Sequence, residues 1–335
     1  MMWPVRHREQ SSQRGFVIIA VLWILVALST LAAIFSVYLA NSARALGVTD
    51  IGVQTEALTS ASLELTAYQL LLADEKSRPA QGSFRFKLDN AEVTVTYASE
   101  AARVDLNHAP KEMLDGLFEV LGVEPKAAGD LAERIVGWRT EPKPVAASNT
   151  SSTTPSSVAP GKSDDEGALY LAAGLNYAPR GAPFAHVNEL SLVLGATPAI
   201  VERVLPFVTV FSKSADVDVL LARPEVIAAL PGMTPEVLND FLKQRPSLPR
   251  DQKAVAAALG PAAKDSATLP DSKVFRVTTT LRFSNGRRAL SEAVISLGST
   301  EAKDAKDDKP KQPYSVLSWQ DQAESAVQPF RQAGG

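Results

Sequence analysis

The sequence contains no cysteine and only three histidines. Without thiols it forms neither structural disulfides nor Cys-type zinc sites. That composition suits an oxidising envelope compartment, where free thiols are a liability. The histidines are His7, His108 and His186, and they fall in no His-Glu-x-x-His motif. Gly-x-Ser-x-Gly and P-loop patterns are missing as well, and no carboxylate pair stands out for glycoside chemistry. The chain therefore does not read as an enzyme. It also lacks a surplus of positive charge: 34 Lys and Arg face 37 Asp and Glu, for a net charge of −3. Nucleic-acid partners favour strongly basic surfaces, so the balance gives no reason to expect one.

Charge is missing most conspicuously between Arg14 and Arg44. Phe16 to Ala40 is longer than the roughly 20 apolar residues a helix needs to cross a bilayer. A secretory signal peptide has a shorter apolar region, closed by a small-residue cleavage site. Here the run is too long and no Ala-x-Ala closes it. Arg6, Arg8 and Arg14 precede the run and only Arg44 follows closely. The positive-inside rule then keeps the leader cytoplasmic and sends the bulk of the chain to the periplasm.

Helical periodicity continues past the apolar run. Leu58, Ala61, Leu65, Tyr68 and Leu72 recur at spacings of three and four, which predicts one helix over about 16–73 with that stripe packed on a globular domain. Gly47 and Gly52 are its expected soft points. Phe84, Phe86 and Leu88, an Asp89-Asn90 turn, then Val93, Val95 and Tyr97 read as a hairpin. A second hairpin spans 274–283 and 289–297 around Asn285-Gly286, and 314–319 adds a last strand. Residues 103–260 read as almost wholly helical, with an internal echo. RVDLNHAPKEMLDGLFEVLG (103–122) is repeated in DVDVLLARPEVIAALPGMT (216–234) and, more loosely, in 182–208. Each copy is a helix, a Gly-containing turn and another helix. Asp105 and Asn107 read as turn formers and His108 as a helix-start residue. Ser, Thr and Pro dominate 140–167, which reads as a mobile loop, and 299–313 is a charged loop.

The architecture expected is α+β: a long N-terminal helix on an antiparallel sheet, with a large mostly α-helical domain of helix-hairpin-helix-like repeats inserted in the sheet. RGFVIIAVLWIL, ARVDLN, LAERIVGWRTEP, APFAHVNELSLVLGATPAIVERVLPFVTVF, VDVLLARPEVIAALPGMT and FRVTTTLRFSNGRRALSEAVISL with VLSW occur here in that order. Together they resemble the protein K family of type II secretion, the large minor pseudopilins (GspK). The resemblance implies a pilin-like division: 1–15 a prepilin-type leader, 16–45 the transmembrane part of the helix, and 46–100 its periplasmic half with the first hairpin. The inserted helical domain then covers 101–265, the closing strands 266–325 and a tail 326–335. It implies cleavage between Gly15 and Phe16 by prepilin peptidase, with methylation of the new Phe16 amine. It also implies a pseudopilus-tip role with I-type and J-type minor pseudopilins, in contact with secreted cargo or the outer-membrane secretin.

At the fifth position after the cut, where most pilin-like subunits carry Glu, this chain has Ala20. Protein K members resemble it in that respect. A carboxylate in lipid costs about 2.5–3.5 kcal/mol on insertion scales, and a subunit with nothing above it gains no partner in return. Some relatives bind calcium, but Gly137-Trp138-Arg139-Thr140-Glu141 departs from the family's acidic pattern there. Asp164, Asp165 and Glu166 are the remaining candidate oxygens for Ca²⁺, against the blander reading of a solvated acidic loop. Two alternatives stand beside this reading. One is a membrane-anchored periplasmic helix-hairpin-helix DNA-binding protein, for which ALPGMTPEVLNDFLKQR is the best motif. The other is a generic anchored periplasmic module.

Overall fold

The computed structural model describes residues 13–74, 78–141, 162–263, 267–269, 273–298 and 312–322. The chain divides into two compact units, residues 1–60 and 61–335. Its first element, α1 (Gln13–Leu72), passes without a break through Gly47 and Gly52. The glycine cost is thus absorbed by a helix that gains a hydrogen bond with every added residue. In the first unit Ile18–Ser42 form 25 residues of apolar helix with none buried. At 1.5 Å per residue that is about 37 Å, enough for a single crossing of a hydrocarbon layer.

The second unit is built on a five-stranded antiparallel sheet in the order β1-β2-β7-β8-β9. Its strands are β1 (Gln81–Leu88), β2 (Ala91–Ser99), β7 (Val274–Phe283), β8 (Arg288–Leu297) and β9 (Tyr314–Gln322). Both expected hairpins and the last strand are present. Asp89 (φ 52°) and Gly286 (φ 84°) supply the left-handed turn positions. Cross-strand pairs such as Val93 with Leu281 and Tyr97 with Val277 bury one face of the sheet. The last turns of α1 meet this face, where the Tyr314 hydroxyl donates to Glu64 Oε1 at 3.0 Å.

The helix stripe differs in part from the one expected. Leu58 is buried as expected, but Leu65, Tyr68 and Leu72 are exposed, while Ser62, Leu63, Thr66, Ala67 and Leu70 are buried. Small side chains let the helix approach the sheet closely, and Thr66 satisfies its buried hydroxyl by donating to the Ser62 carbonyl at 2.7 Å. Hydrophobicity alone had favoured the larger residues.

The segment between β2 and β7 is the inserted domain. It contains α2 (Lys111–Val120), α3 (Pro125–Arg139), α4 (Lys162–Ala172), α5 (Pro198–Val204), α6 (Pro224–Ala228), α7 (Pro235–Gln244) and α8 (Gln252–Leu259). It is not wholly helical. Two short parallel ladders tie distant parts together: β3 (Val104–Asp105) with β4 (Val208–Thr209), and β5 (Val217–Asp218) with β6 (Ala267–Thr268). The three echoed segments do fold alike, each turning at a left-handed glycine: Gly122 (φ 83°), Gly195 (φ 91°) and Gly232 (φ 78°). In the loosest copy the first helix is a 3-10 stretch, Val187–Leu192.

The two closest copies match bond for bond. The Asp105 carboxylate accepts from Asn107 N and the Asp218 carboxylate from Leu220 N. Their carbonyls accept from Ala109 N and Ala222 N, each at 2.8 Å. Arginines then cover the next carbonyls: Arg139 donates to Ala109 O at 2.6 Å and Arg245 to Ala222 O at 2.7 Å. Asp105 and Asn107 are turn formers as expected. His108 does not cap α2, whose N-cap is Pro110, but lies 3.2 Å from the Asp105 carboxylate. The core of the insert gathers Met113, Leu117, Phe118, Ile135, Leu190 and Phe241, with Trp138 stacked on Phe184 at 6.0 Å.

Candidate functional site

Where β2 leaves the sheet, the chain turns through Glu100–Ala102 into the insert. Glu100 is 1% exposed and carries a charge into that junction. Such a charge has to be paired and hydrogen-bonded. Arg276, on β7, donates to it from Nε at 2.6 Å and from Nη2 at 3.1 Å. Arg276 Nη1 donates to Glu292 on β8, and the Thr209 hydroxyl of β4 donates to the second Glu100 oxygen. Burial works against the Arg276 charge, but the hydrogen bond and charge of Glu100, followed by those of Glu292, hold its guanidinium above the ordinary arginine value. One buried carboxylate thus joins β7 to β4 of a second sheet, and Arg276 extends the network to β8.

These residues lie on the sheet face opposite α1, where Thr96, Arg276, Thr278 and Glu292 stand beside Val274 and Val294. The insert meets it again through His186, whose Nε2 is 3.1 Å from Gln320 Nε2 on β9. Between sheet and insert a cleft of about 760 Å³ remains, walled by the start of β1, by β2 and β7, and by Phe207, Arg223 and Val226. Arg103 reaches across it, its Nη1 donating to the Leu205 carbonyl at 3.5 Å and its Nε 4.0 Å from Glu100. Burial, and then the Arg276 charge, push the Arg103 guanidinium below its usual value, with Glu100 and Glu292 opposing. Sequence reasoning missed this junction. Glu100 and Arg276 are 176 positions apart, and neither sits in a motif.

The residues singled out from sequence fall in two separate elements. Gly15 and Phe16 lie in the first turn of α1, and Ala20 one turn further on, within the exposed apolar helix. Asp164, Asp165 and Glu166 fall in α4, since residues 162–167 of the expected loop are helical. The remainder of that loop, 142–161, lies outside the described residues. Among the described residues no group of three His, Asp or Glu side chains could hold a metal. Glu166 instead packs on α3, where a Cβ at Gly137 would come within 3.0 Å of its carboxyl carbon. Arg139, in the motif that departs from the acidic pattern, covers backbone carbonyls.

Residues 85–213 match the family model for type II secretion system (T2SS), protein K. No curated protein matches the chain. Among solved structures, a chain of the GspK-GspI-GspJ complex from the enterotoxigenic Escherichia coli type 2 secretion system superposes with a TM-score of 0.52. The match has 16% identity and covers 81% of this chain and 96% of that one, a likeness of fold.

Proposed function

We propose that the chain is a minor pseudopilin at the tip of the pseudopilus, an assembly component and not a catalyst, since residues 85–213 match the family model for type II secretion system protein K. The observation that carries this reading is the family match on an insert that interrupts a pilin-like sheet. The exposed apolar helix supports it, having the length and composition of a single-pass anchor. In this reading prepilin peptidase cuts between Gly15 and Phe16 and the Phe16 amine is methylated. The helix then rests in the inner membrane with the bulk of the chain periplasmic. I-type and J-type minor pseudopilins join it along the helix and the second unit, as the similar E. coli chain sits in a complex with GspI and GspJ. The bulk of the insert would obstruct a further subunit above it, so the complex primes assembly from the tip and touches cargo or the secretin.

The experiment is intact mass of the full chain expressed with and without prepilin peptidase. Loss of residues 1–15 only when the peptidase is present, abolished by Gly15→Leu, is the expected result. Retention of the leader in the membrane form would demote the protein to a simple anchored module. Deleting the gene in a secretion-dependent strain is expected to stop pseudopilus assembly, and unaffected assembly would remove the priming role.

A further inference from the structure

The cleft between sheet and insert is lined by three guanidinium groups, Arg103, Arg223 and Arg276, and by two carboxylates, Glu100 and Glu292. Arg276 occupies both carboxylates. Arg103 is left with a 4.0 Å contact to an oxygen already used, and its side chain is 23% exposed. Arg223 is exposed and lies over the Phe207 ring, 5.5 Å from its centroid. This contact with the ring uses none of the guanidinium's N–H donors, and those donors match a planar carboxylate. The cleft therefore holds one positive charge more than it pairs.

We infer that this cleft binds one carboxylate carried on an extended acidic segment of a partner protein, held between Arg103 and Arg223. A surplus of a single charge fits a monoanion, and Glu100 and Glu292 in the wall disfavour a phosphate dianion. A free small acid would leave most of the space empty, because the cleft continues past the charges along Gln81, Ser83, Thr96 and Thr278. These side chains offer neutral hydrogen-bonding groups suited to a polypeptide backbone. The first two belong to β1, an edge strand of the sheet. An edge strand presents unpaired backbone groups on its outer side, the usual means of seating an extended chain. The chemistry of the cleft is independent of whether the protein caps a filament.

The test is fluorescence anisotropy of a fluorescein-labelled hexaglutamate peptide titrated with the full chain in neutral detergent at 50 mM salt, with hexaglutamine as control. Binding of hexaglutamate at least tenfold tighter than hexaglutamine is expected. Arg223→Ala, an exposed position, is expected to weaken it at least tenfold while leaving the thermal transition in place, and Arg103→Gln to weaken it further. Raising salt to 0.5 M is expected to reduce binding in the parent and to matter less in Arg223→Ala. Inorganic phosphate at equal charge concentration should compete poorly. Absence of hexaglutamate binding, equal affinity for hexaglutamine, an unchanged Arg223→Ala variant, or strong competition by phosphate would each overturn the assignment.

Discussion

Single residues decide how this molecule tolerates charge. Glu100 is almost fully enclosed, so removing its partner strands a carboxylate. Arg276→Met is expected to destabilise the second unit by about 3–5 kcal/mol, the cost of breaking a buried pair. Glu100→Gln with Arg276→Met should recover more than half of that loss, because it removes the stranded charge. Urea unfolding followed by tryptophan fluorescence measures both, and equal losses in single and double variants would contradict the pairing. Tyr314 gives a pH-dependent counterpart. Burial, and then the Glu64 carboxylate, push its phenol up to about 12. Unfolded tyrosine titrates near 10, so the folded state retains the proton longer. Its contribution is fully present below about pH 10 and is lost as pH rises through about 12. Absorbance titration at 295 nm is expected to show a tyrosine near 12 that disappears in Tyr314→Phe. That variant should lose less stability than the parent across the same window. Ala20 belongs to the proposed tip role. Ala20→Glu would offer a carboxylate that another subunit could pair with, and longer pseudopili in electron micrographs are the expected outcome. An unchanged length distribution would count against the argument.

At the scale of elements, close approach sets what can be substituted. A Cβ at Gly116 in α2 would come within 2.6 Å of the Ala229 carbonyl oxygen at the end of α6. Helix propensity alone favours Gly116→Ala by about 1 kcal/mol, but overpacking against backbone costs about 1–3. A net drop in Tm is expected. At Gly137 the neighbour is the flexible Glu166 side chain, so Gly137→Ala should be neutral or stabilising. Calorimetry of the two variants, giving opposite or clearly unequal shifts, checks this contrast. The same scale shows what the sequence reveals. Alternation in β1, β2, β7 and β8 and the left-handed turns at Asp89 and Gly286 are local signals, so those hairpins were legible. The three helix–glycine–helix copies were legible for the same reason. The β3–β4 and β5–β6 ladders were not, because each spans only two residues on each side and pairs segments about 50 to 100 positions apart. The buried stripe of α1 was misread beyond Leu58, since Ser62, Thr66 and Ala67 carry no hydrophobic signal and Leu63 and Leu70 compete with the equally apolar Leu65 and Leu72. The ion-paired junction and the cleft it borders depend on side chains meeting across the whole insert, which no periodicity encodes.

At the scale of the whole molecule, the insert leaves from Ser99 and the chain re-enters the sheet at Val274, and Ser99 is paired with Phe275 across the ladder. β2 and β7 are thus antiparallel neighbours whose ends a few residues could join. The sheet face turned toward the insert mixes Thr96, Arg276, Thr278 and Glu292 with Val274 and Val294, so exposing it costs less hydrophobic stabilisation than exposing the α1 face. Replacing residues 101–273 with a four-residue Gly-Asn turn is expected to leave a folded five-stranded sheet with the α1 contact intact. Circular dichroism and the Tyr314 titration would show it, and a collapsed sheet would refute it. A chain that departs and returns at paired neighbours carries its extra domain as a detachable cassette. Such a cassette can be lengthened, shortened or exchanged without disturbing the strand pairing that carries it.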